Sequence, residues 1–225
     1  MKNLFLLLAM LVFTCPTFAQ TRNFKLVKAP SENPANEKRK AVVIGISEYG
    51  EGRSLDNALN DANDMAEVFT QLGFEVTLLT NNDYRGLETN LTDWYKTIEK
   101  NDMAVFYFAG YGVEADGENY LIPIDAELNS EADVKHKTLK INLVLDNMNE
   151  KGVDFKLIIL EACLDNPITK NISRSSSEKG LAQMKAPKGM LIAFAAEPGS
   201  TSHDAETYNL RNGVFTHFLK KELLT

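Results

Sequence analysis

The side chain best suited to chemistry is the thiol of Cys163, which closes the apolar run Phe155 to Leu160 in the segment Leu160-Glu161-Ala162-Cys163-Leu164-Asp165. A cysteine attacks as its thiolate, and a nucleophilic thiol normally needs a histidine within hydrogen-bond reach to stabilise that anion and protonate a leaving amine. The chain has three histidines, His136, His203 and His217. None is spaced i, i+4 from another, and no cysteine pair exists, so no metal-ligand set is expected. No Gly-x-x-x-x-Gly-Lys loop, no Gly-x-Gly-x-x-Gly turn after the first strand and no Gly-x-Ser-x-Gly elbow is present, which sets aside phosphate-loop, dinucleotide and serine-hydrolase chemistry. A formal charge of −7 argues against a nucleic-acid partner.

The isolation of Cys163 follows from the other end of the chain. Lys2, the apolar run Leu4 to Phe13 and the small-residue site Thr17-Phe18-Ala19 have the form of a cleavable signal peptide over residues 1–19. Removal takes Cys15 away and leaves one thiol in a secreted or periplasmic chain, unable to form an internal disulfide. Residues 20–38, with Pro30 and Pro34 among polar neighbours, read as a flexible linker. No apolar stretch approaches the roughly 18–20 residues of a membrane span. Residues 39–225, in a chain that is 44% hydrophobic, suit one domain.

Around that thiol, short β-branched and aromatic runs alternate with helical spacing. Residues 41–46, 74–80, 103–109, 155–160 and 190–196 read as strands buried on both faces. Ala62, Met65, Ala66, Phe69 and Leu72 repeat as one helix face closed by Gly73, and Leu87, Leu91, Trp94, Tyr95 and Ile98 as another. Weaker patterns cover Ile141 to Met148 and Phe215 to Leu223. The order predicts an α/β, three-layer α/β/α domain with a mostly parallel central sheet. Two long segments, 110–140 and 165–189, read as irregular, and loops of that length are commonly functional. In such sheets sites lie beyond the strands' carboxyl ends, which here carry Gly110-Tyr111-Gly112, Glu161-Ala162-Cys163 and Glu197-Pro198-Gly199.

At this point the chain resembles a family. Leu160 to Pro167 is similar to the catalytic-cysteine strand end of bacterial caspase-like and metacaspase-like peptidases, and Phe106-Tyr107-Phe108-Ala109-Gly110-Tyr111-Gly112 to their histidine strand end, where Gly-His-Gly is usual. Asn60-Asp61-Ala62, Asn119 to Asp125 and Ile192 to Ser200 also match. The resemblance implies a caspase-like fold, Cys163 at the nucleophile position, an oxyanion hole from the amides of Gly112 and Cys163, and a pocket for substrate Arg or Lys lined by Asp61 and Glu161. It places the histidine roughly 50 residues before the cysteine, and there stands Tyr111. The family's final helix and edge strand have no counterpart after Phe215 to Leu224, so the strand at 190–196 is expected to be an exposed edge open to self-association. The segment 170–188, with Arg174 and Lys179, corresponds to one that relatives cleave in themselves. No cofactor is called for, although some relatives need calcium.

Tyr111 decides the functional expectation. A thiol with pKa about 8.5 is a few per cent thiolate at pH 7, and a phenol of pKa about 10 is neutral there. It neither pairs with a thiolate as a cation nor serves as a good base, and Glu161 and Asp165 nearby raise rather than lower a thiol pKa. The expectation is an impaired pseudo-peptidase that keeps Cys163 and a basic-residue pocket. Two alternatives stand beside it: an active Arg/Lys-specific cysteine endopeptidase with His203 as substitute base, and a non-catalytic assembly module. For Asp61 a plainer role is also open, a carboxylate satisfying free amides at a helix N-terminus.

Overall fold

The computed structural model describes residues 38–50, 53–153, 155–163, 181–196 and 210–225, with the backbone alone at Arg53, Asp56 and Cys163. Five strands form a parallel sheet: β1 (Arg39–Gly45), β4 (Glu75–Thr80), the first half of β5 (Met103–Ala115), β8 (Phe155–Cys163) and β9 (Met190–Phe194). Their order is β4-β1-β5-β8-β9, with β1, β5 and β8 at the centre. All five were expected as strands from their apolar runs; burial on both faces holds for the central β1, β5 and β8, whereas β4 and β9, at the two edges, are largely half-exposed.

Helices cover the two faces. α1 (Asp56–Gln71) packs Ala58, Ala62, Met65 and Phe69 against Val43, Val105, Tyr107 and Ile159, joined by Phe215 and Leu219 of α5 (Val214–Leu223). The opposite layer buries Leu87, Leu91 and Trp94 of α2 (Tyr84–Thr97), Val134 of α3 (Glu131–Lys137), and Ile141, Val144 and Met148 of α4 (Ile141–Glu150) on Ile44, Phe106, Phe108 and Ile158. Gly73 ends α1 as its spacing predicted: it takes φ 81°, costly for any side chain, and its N–H reaches back to Thr70 O.

The segment 110–140 is not irregular. β5 runs on to Ala115 and folds back as β6 (Glu118–Leu121), with Gly112 opposite Leu121, and β7 (Leu139–Lys140) adds to β6 after α3. Of the glycines at 110, 112 and 117, only Gly117 sits in the turn, at φ 75°. α3 escaped sequence reading because it is short and polar, with Val134 its one buried residue. A small hairpin, β2 (Glu48–Tyr49) with β3 (Arg53–Ser54), follows β1 and carries a tyrosine that matters below.

Candidate active site

Two halves of the site share the ends of β5 and β8. In the parallel ladder between these strands, Tyr111 and Cys163 are Cα partners, the last pair before β5 leaves for β6. The two positions implied for base and nucleophile are therefore strand neighbours, set there by a seven-strand sheet rather than by sequence proximity.

The Tyr111 side chain breaks the strand's alternation. Val105, Tyr107 and Ala109 face α1, whereas Phe106 and Phe108 face α2–α4; Tyr111, two residues beyond Ala109, joins the second group. The change of side falls at Gly110, whose φ is 159° and where a Cβ would meet Phe108 Cζ and Tyr49 Oη at 2.7 Å each. The Tyr111 ring lies on the Tyr49 ring, centroids 4.6 Å apart at 50°. Tyr49 Oη accepts the Tyr111 N–H at 2.8 Å and donates to Ile122 O at 3.2 Å, while Ile122 N–H donates to Tyr111 O at 3.0 Å. The phenol is thus only 6% exposed, built into an aromatic layer on the face away from Glu161. Gly112 is buried as well: a Cβ there would press on Leu181 Cδ2 at 3.1 Å and Ala162 Cβ at 3.2 Å.

On the other face Asp61 and Glu161 meet. Asp61 is the sixth residue of α1 and 1% exposed; Glu161, near the end of β8, is 9% exposed. Both close on the start of α5. The N–H of Gly213, its N-cap, donates to Asp61 Oδ1 at 3.0 Å and Oδ2 at 3.2 Å. Thr216 gives Glu161 Oε2 two hydrogen bonds, from its N–H at 3.0 Å and its hydroxyl at 2.8 Å. With that hydrogen engaged, the fully buried Tyr107 Oη, 2.7 Å away, donates to Thr216 Oγ1. Asp61 does satisfy a helix-terminal amide, but that of Gly213 at the start of α5, more than 150 residues away in sequence, and not one of its own helix.

The electrostatics follow from burial. Desolvation raises Asp61 to about 6, against the weaker pull of Asn212 and the Gly213 amide. Desolvation, then the nearby charge of Asp61, raises Glu161 to about 7 despite Thr216. Burial also lifts the Tyr107 phenol well above its ordinary value. Asp64, a turn along α1, behaves oppositely: burial works against its charge, but Lys220 Nζ at 2.6 Å and Arg211 Nη1 at 3.0 Å hold it below the ordinary carboxylate value. Asn212 lies near enough to lower both Asp61 and Asp64, yet its buried Nδ2 makes no hydrogen bond of acceptable geometry among the described residues.

The arrangement presents a buried acidic pair backed by α5 on one side and an aromatic plug on the other. Sequence reading missed the α5 contributors Asn212, Gly213 and Thr216, and also Tyr107 and Tyr49. One signal was present: a tyrosine inside an otherwise apolar strand must find a partner for its hydroxyl. His136 lies on α3, and His217 on α5 with its ring against Phe218, centroids 5.2 Å apart. His203, Asp165, Arg174, Lys179 and the Glu197-Pro198-Gly199 turn lie outside the described residues. Among the described residues no group of three or more His, Cys, Asp or Glu is arranged to hold a metal ion, and no helix is long and apolar enough to cross a membrane.

Comparison with known proteins agrees with the fold. A family model for the caspase domain matches residues 38–225. The human mucosa-associated lymphoid tissue lymphoma translocation protein 1 is 23% identical over 194 residues, covering 86% of this chain and 23% of its own length. A Dictyostelium discoideum paracaspase is 23% identical over 217 residues, covering 89% of this chain and 48% of its own. The chain thus spans a quarter to a half of the length of these relatives. Among solved structures, a Geobacter sulfurreducens protein superposes with TM-score 0.58 at 15% identity, over 82% of this chain and 81% of that one. Caspase-1 from Spodoptera frugiperda does so with TM-score 0.56 at 16% identity, over 90% and 77%. At such identities the structural likeness speaks for the fold.

Proposed function

The chain belongs to the caspase family of cysteine peptidases, and on that premise we propose that it is an exported caspase-like domain impaired in hydrolysis that binds protein segments through Arg or Lys side chains. The observation that carries the reading is the partnering of Tyr111 with Cys163 across β5 and β8, with the phenol ring packed on Tyr49. A neutral, core-packed phenol supplies neither a cation for a thiolate nor a proton for a leaving amine, and losing an acid–base partner forfeits about 10²- to 10⁴-fold in rate. The convergence of Asp61 and Glu161 supports the basic-side-chain pocket, and the composition of residues 1–19 supports export.

The test is the pH dependence of Cys163 alkylation together with turnover of Arg- and Lys-linked fluorogenic peptides. The expected result is half-maximal reaction at about pH 8.5 or above and no turnover. A thiol half-reacted below pH 7, with peptide turnover abolished by Cys163→Ala, would overturn the reading and favour an active endopeptidase.

We also propose self-association through β9. Among the described residues its one strand partner is β8, and Leu191 is 47% exposed. Unpaired strand edges with apolar side chains template pairing with other chains. Light scattering that returns a strict monomer across a concentration series would remove this proposal.

A further inference from the structure

The ladder between β5 and β6 has a foreign member. A turn at Asp116 and Gly117 joins the two strands, and their register runs from Ala115 opposite Glu118 to Gly112 opposite Leu121. The next pair in that register is Tyr111 with Ile122. Along an antiparallel ladder hydrogen-bonded pairs alternate with non-hydrogen-bonded ones, and residues of a bonded pair exchange both of their N–H···O bonds. Ile122 N–H donates to Tyr111 O at 3.0 Å, so this pair is of the bonded kind. Its second bond is not made directly. Tyr111 N–H donates instead to Tyr49 Oη at 2.8 Å, and that hydroxyl donates to Ile122 O at 3.2 Å. A side chain from another hairpin stands inside the rung.

Two features show that the insertion is built. Gly110 makes the room: a Cβ there would meet Tyr49 Oη at 2.7 Å, so a larger residue would expel the hydroxyl. The hairpin that carries Tyr49 is also anchored from outside the ladder. Asn81, just past β4, accepts the N–H groups of Ser47 and Glu48 on its Oδ1 at 2.8 and 3.2 Å, and Ser47 O takes those of Tyr49 and Leu55. The Tyr49 side chain is held in turn by its packing on Tyr111, with 4% of the residue exposed.

The rung falls where the candidate site is. Tyr111 is the Cα partner of Cys163 across β5 and β8. Gly112, the next residue, forms a non-hydrogen-bonded pair with Leu121, so its N–H points away from β6, to the side on which β8 lies. That is the amide which the family resemblance assigns to the oxyanion hole. A change in the spacing of β5 and β6 at Tyr111 therefore moves this amide relative to Cys163.

We infer that Tyr49 is a positioning residue for the strand end beside Cys163: its hydroxyl holds the β5–β6 ladder open by one group at Tyr111. Without that hydroxyl the rung closes directly, Tyr111 N–H to Ile122 O, and draws Tyr111 and Gly112 toward β6. Only hydrogen bonds are exchanged. The inference does not depend on whether the site cleaves peptides, so turnover by the parent would sink the proposed impairment and leave Tyr49 in this role.

The test uses the full chain, isotopically labelled, and Tyr49→Phe, which keeps the ring and removes the hydroxyl. Scalar coupling across hydrogen bonds reports which N–H meets which carbonyl. The parent should show coupling from the Ile122 nitrogen to the Tyr111 carbonyl carbon, and none from the Tyr111 nitrogen to the Ile122 carbonyl carbon. In Tyr49→Phe the second coupling should appear, and the Tyr111 amide should stay protected from hydrogen exchange. A direct Tyr111-to-Ile122 coupling in the parent would overturn the inference, whether or not the variant folds. So would a Tyr111 amide that loses protection in the variant without gaining the coupling, for the hydroxyl would then be a satisfied core group and nothing more.

The link to the site is read at Cys163, with alkylation followed at that residue by mass spectrometry. A backbone N–H directed at an anion favours the charged form, so retreat of the Gly112 amide should raise the pH of half-maximal alkylation in Tyr49→Phe by about half a unit, roughly threefold slower reaction below it. An unchanged alkylation profile beside a closed rung would overturn the positioning role.

Discussion

The ends of β5 and β8 carry two regions a few residues apart that have gone opposite ways. On the α2–α4 face, Tyr111 is absorbed into an aromatic and aliphatic layer with Tyr49, whose hydroxyl links the Tyr111 N–H to Ile122 O. On the α1–α5 face, Asp61 and Glu161 keep charge-bearing groups in a desolvated place, which costs stability whenever both ionise. The first region packs a polar side chain as core; the second holds two acids against a helix start. The contrast teaches that adjacent strands can give neighbouring polar residues opposite surroundings, because each side chain answers to the layer it faces. On the function proposed above, the first is a proton-transfer position turned to packing and the second a kept recognition site.

The largest effect that would break this contrast belongs to the packed region. Tyr49→Ala removes the ring beneath Tyr111 and the hydroxyl that joins Tyr111 N–H to Ile122 O, and should cost about 3–5 kcal/mol in urea unfolding. A loss under about 1 kcal/mol would show that Tyr111 is not locked there. Next is Gly213→Ala, which drives a methyl between the two carboxylates and should cost about 1–3 kcal/mol by overpacking. Denaturation at pH 5 and at pH 8 would show whether protonating the pair eases the crowding.

The pH dependence sharpens the acidic side. Both carboxyls titrate higher in the folded chain than the ordinary value near 4, so the native state binds more protons than the unfolded state between about pH 4 and pH 7. Their contribution is therefore favourable at low pH and is lost as pH rises through about 6 to 7. Glu161→Gln should flatten the fall in stability between pH 5 and pH 8 by on the order of 2 kcal/mol relative to the parent. A variant with the parent's slope would mean that the pair does not titrate there. The smallest effect is Arg211→Ala: its side chain is 62% exposed and Lys220 still holds Asp64, so thermal melts should move by less than about 1 kcal/mol.

Much of the frame was legible. The five parallel strands and four of the helices follow from apolar runs and 3.6-residue spacing, because a three-layer α/β domain leaves its central strands no solvent face. What escaped was short or far apart. β6, β7 and α3 are too brief for periodicity to register, and the β5 extension hides behind glycines that serve close packing rather than turns. In the site, Cys163 stood out as the one remaining thiol at a strand's carboxyl end, whereas the roles of Tyr111, Asp61 and Glu161 came from resemblance to a family. Nothing local announces that Gly213 and Thr216 complete the acid pair, since the contacts join residues 152 and 55 positions apart.

By itself the sequence determined the layer architecture, the single thiol that would remain in an exported chain and the phenol at residue 111, because composition and residue type need no third dimension. Only the tertiary structure decided which face each side chain meets. Gly110 turns the phenol toward Tyr49, and the docking of α5 on α1 closes two acids around a glycine, for burial and hydrogen bonding are properties of neighbours that the chain brings together only on folding.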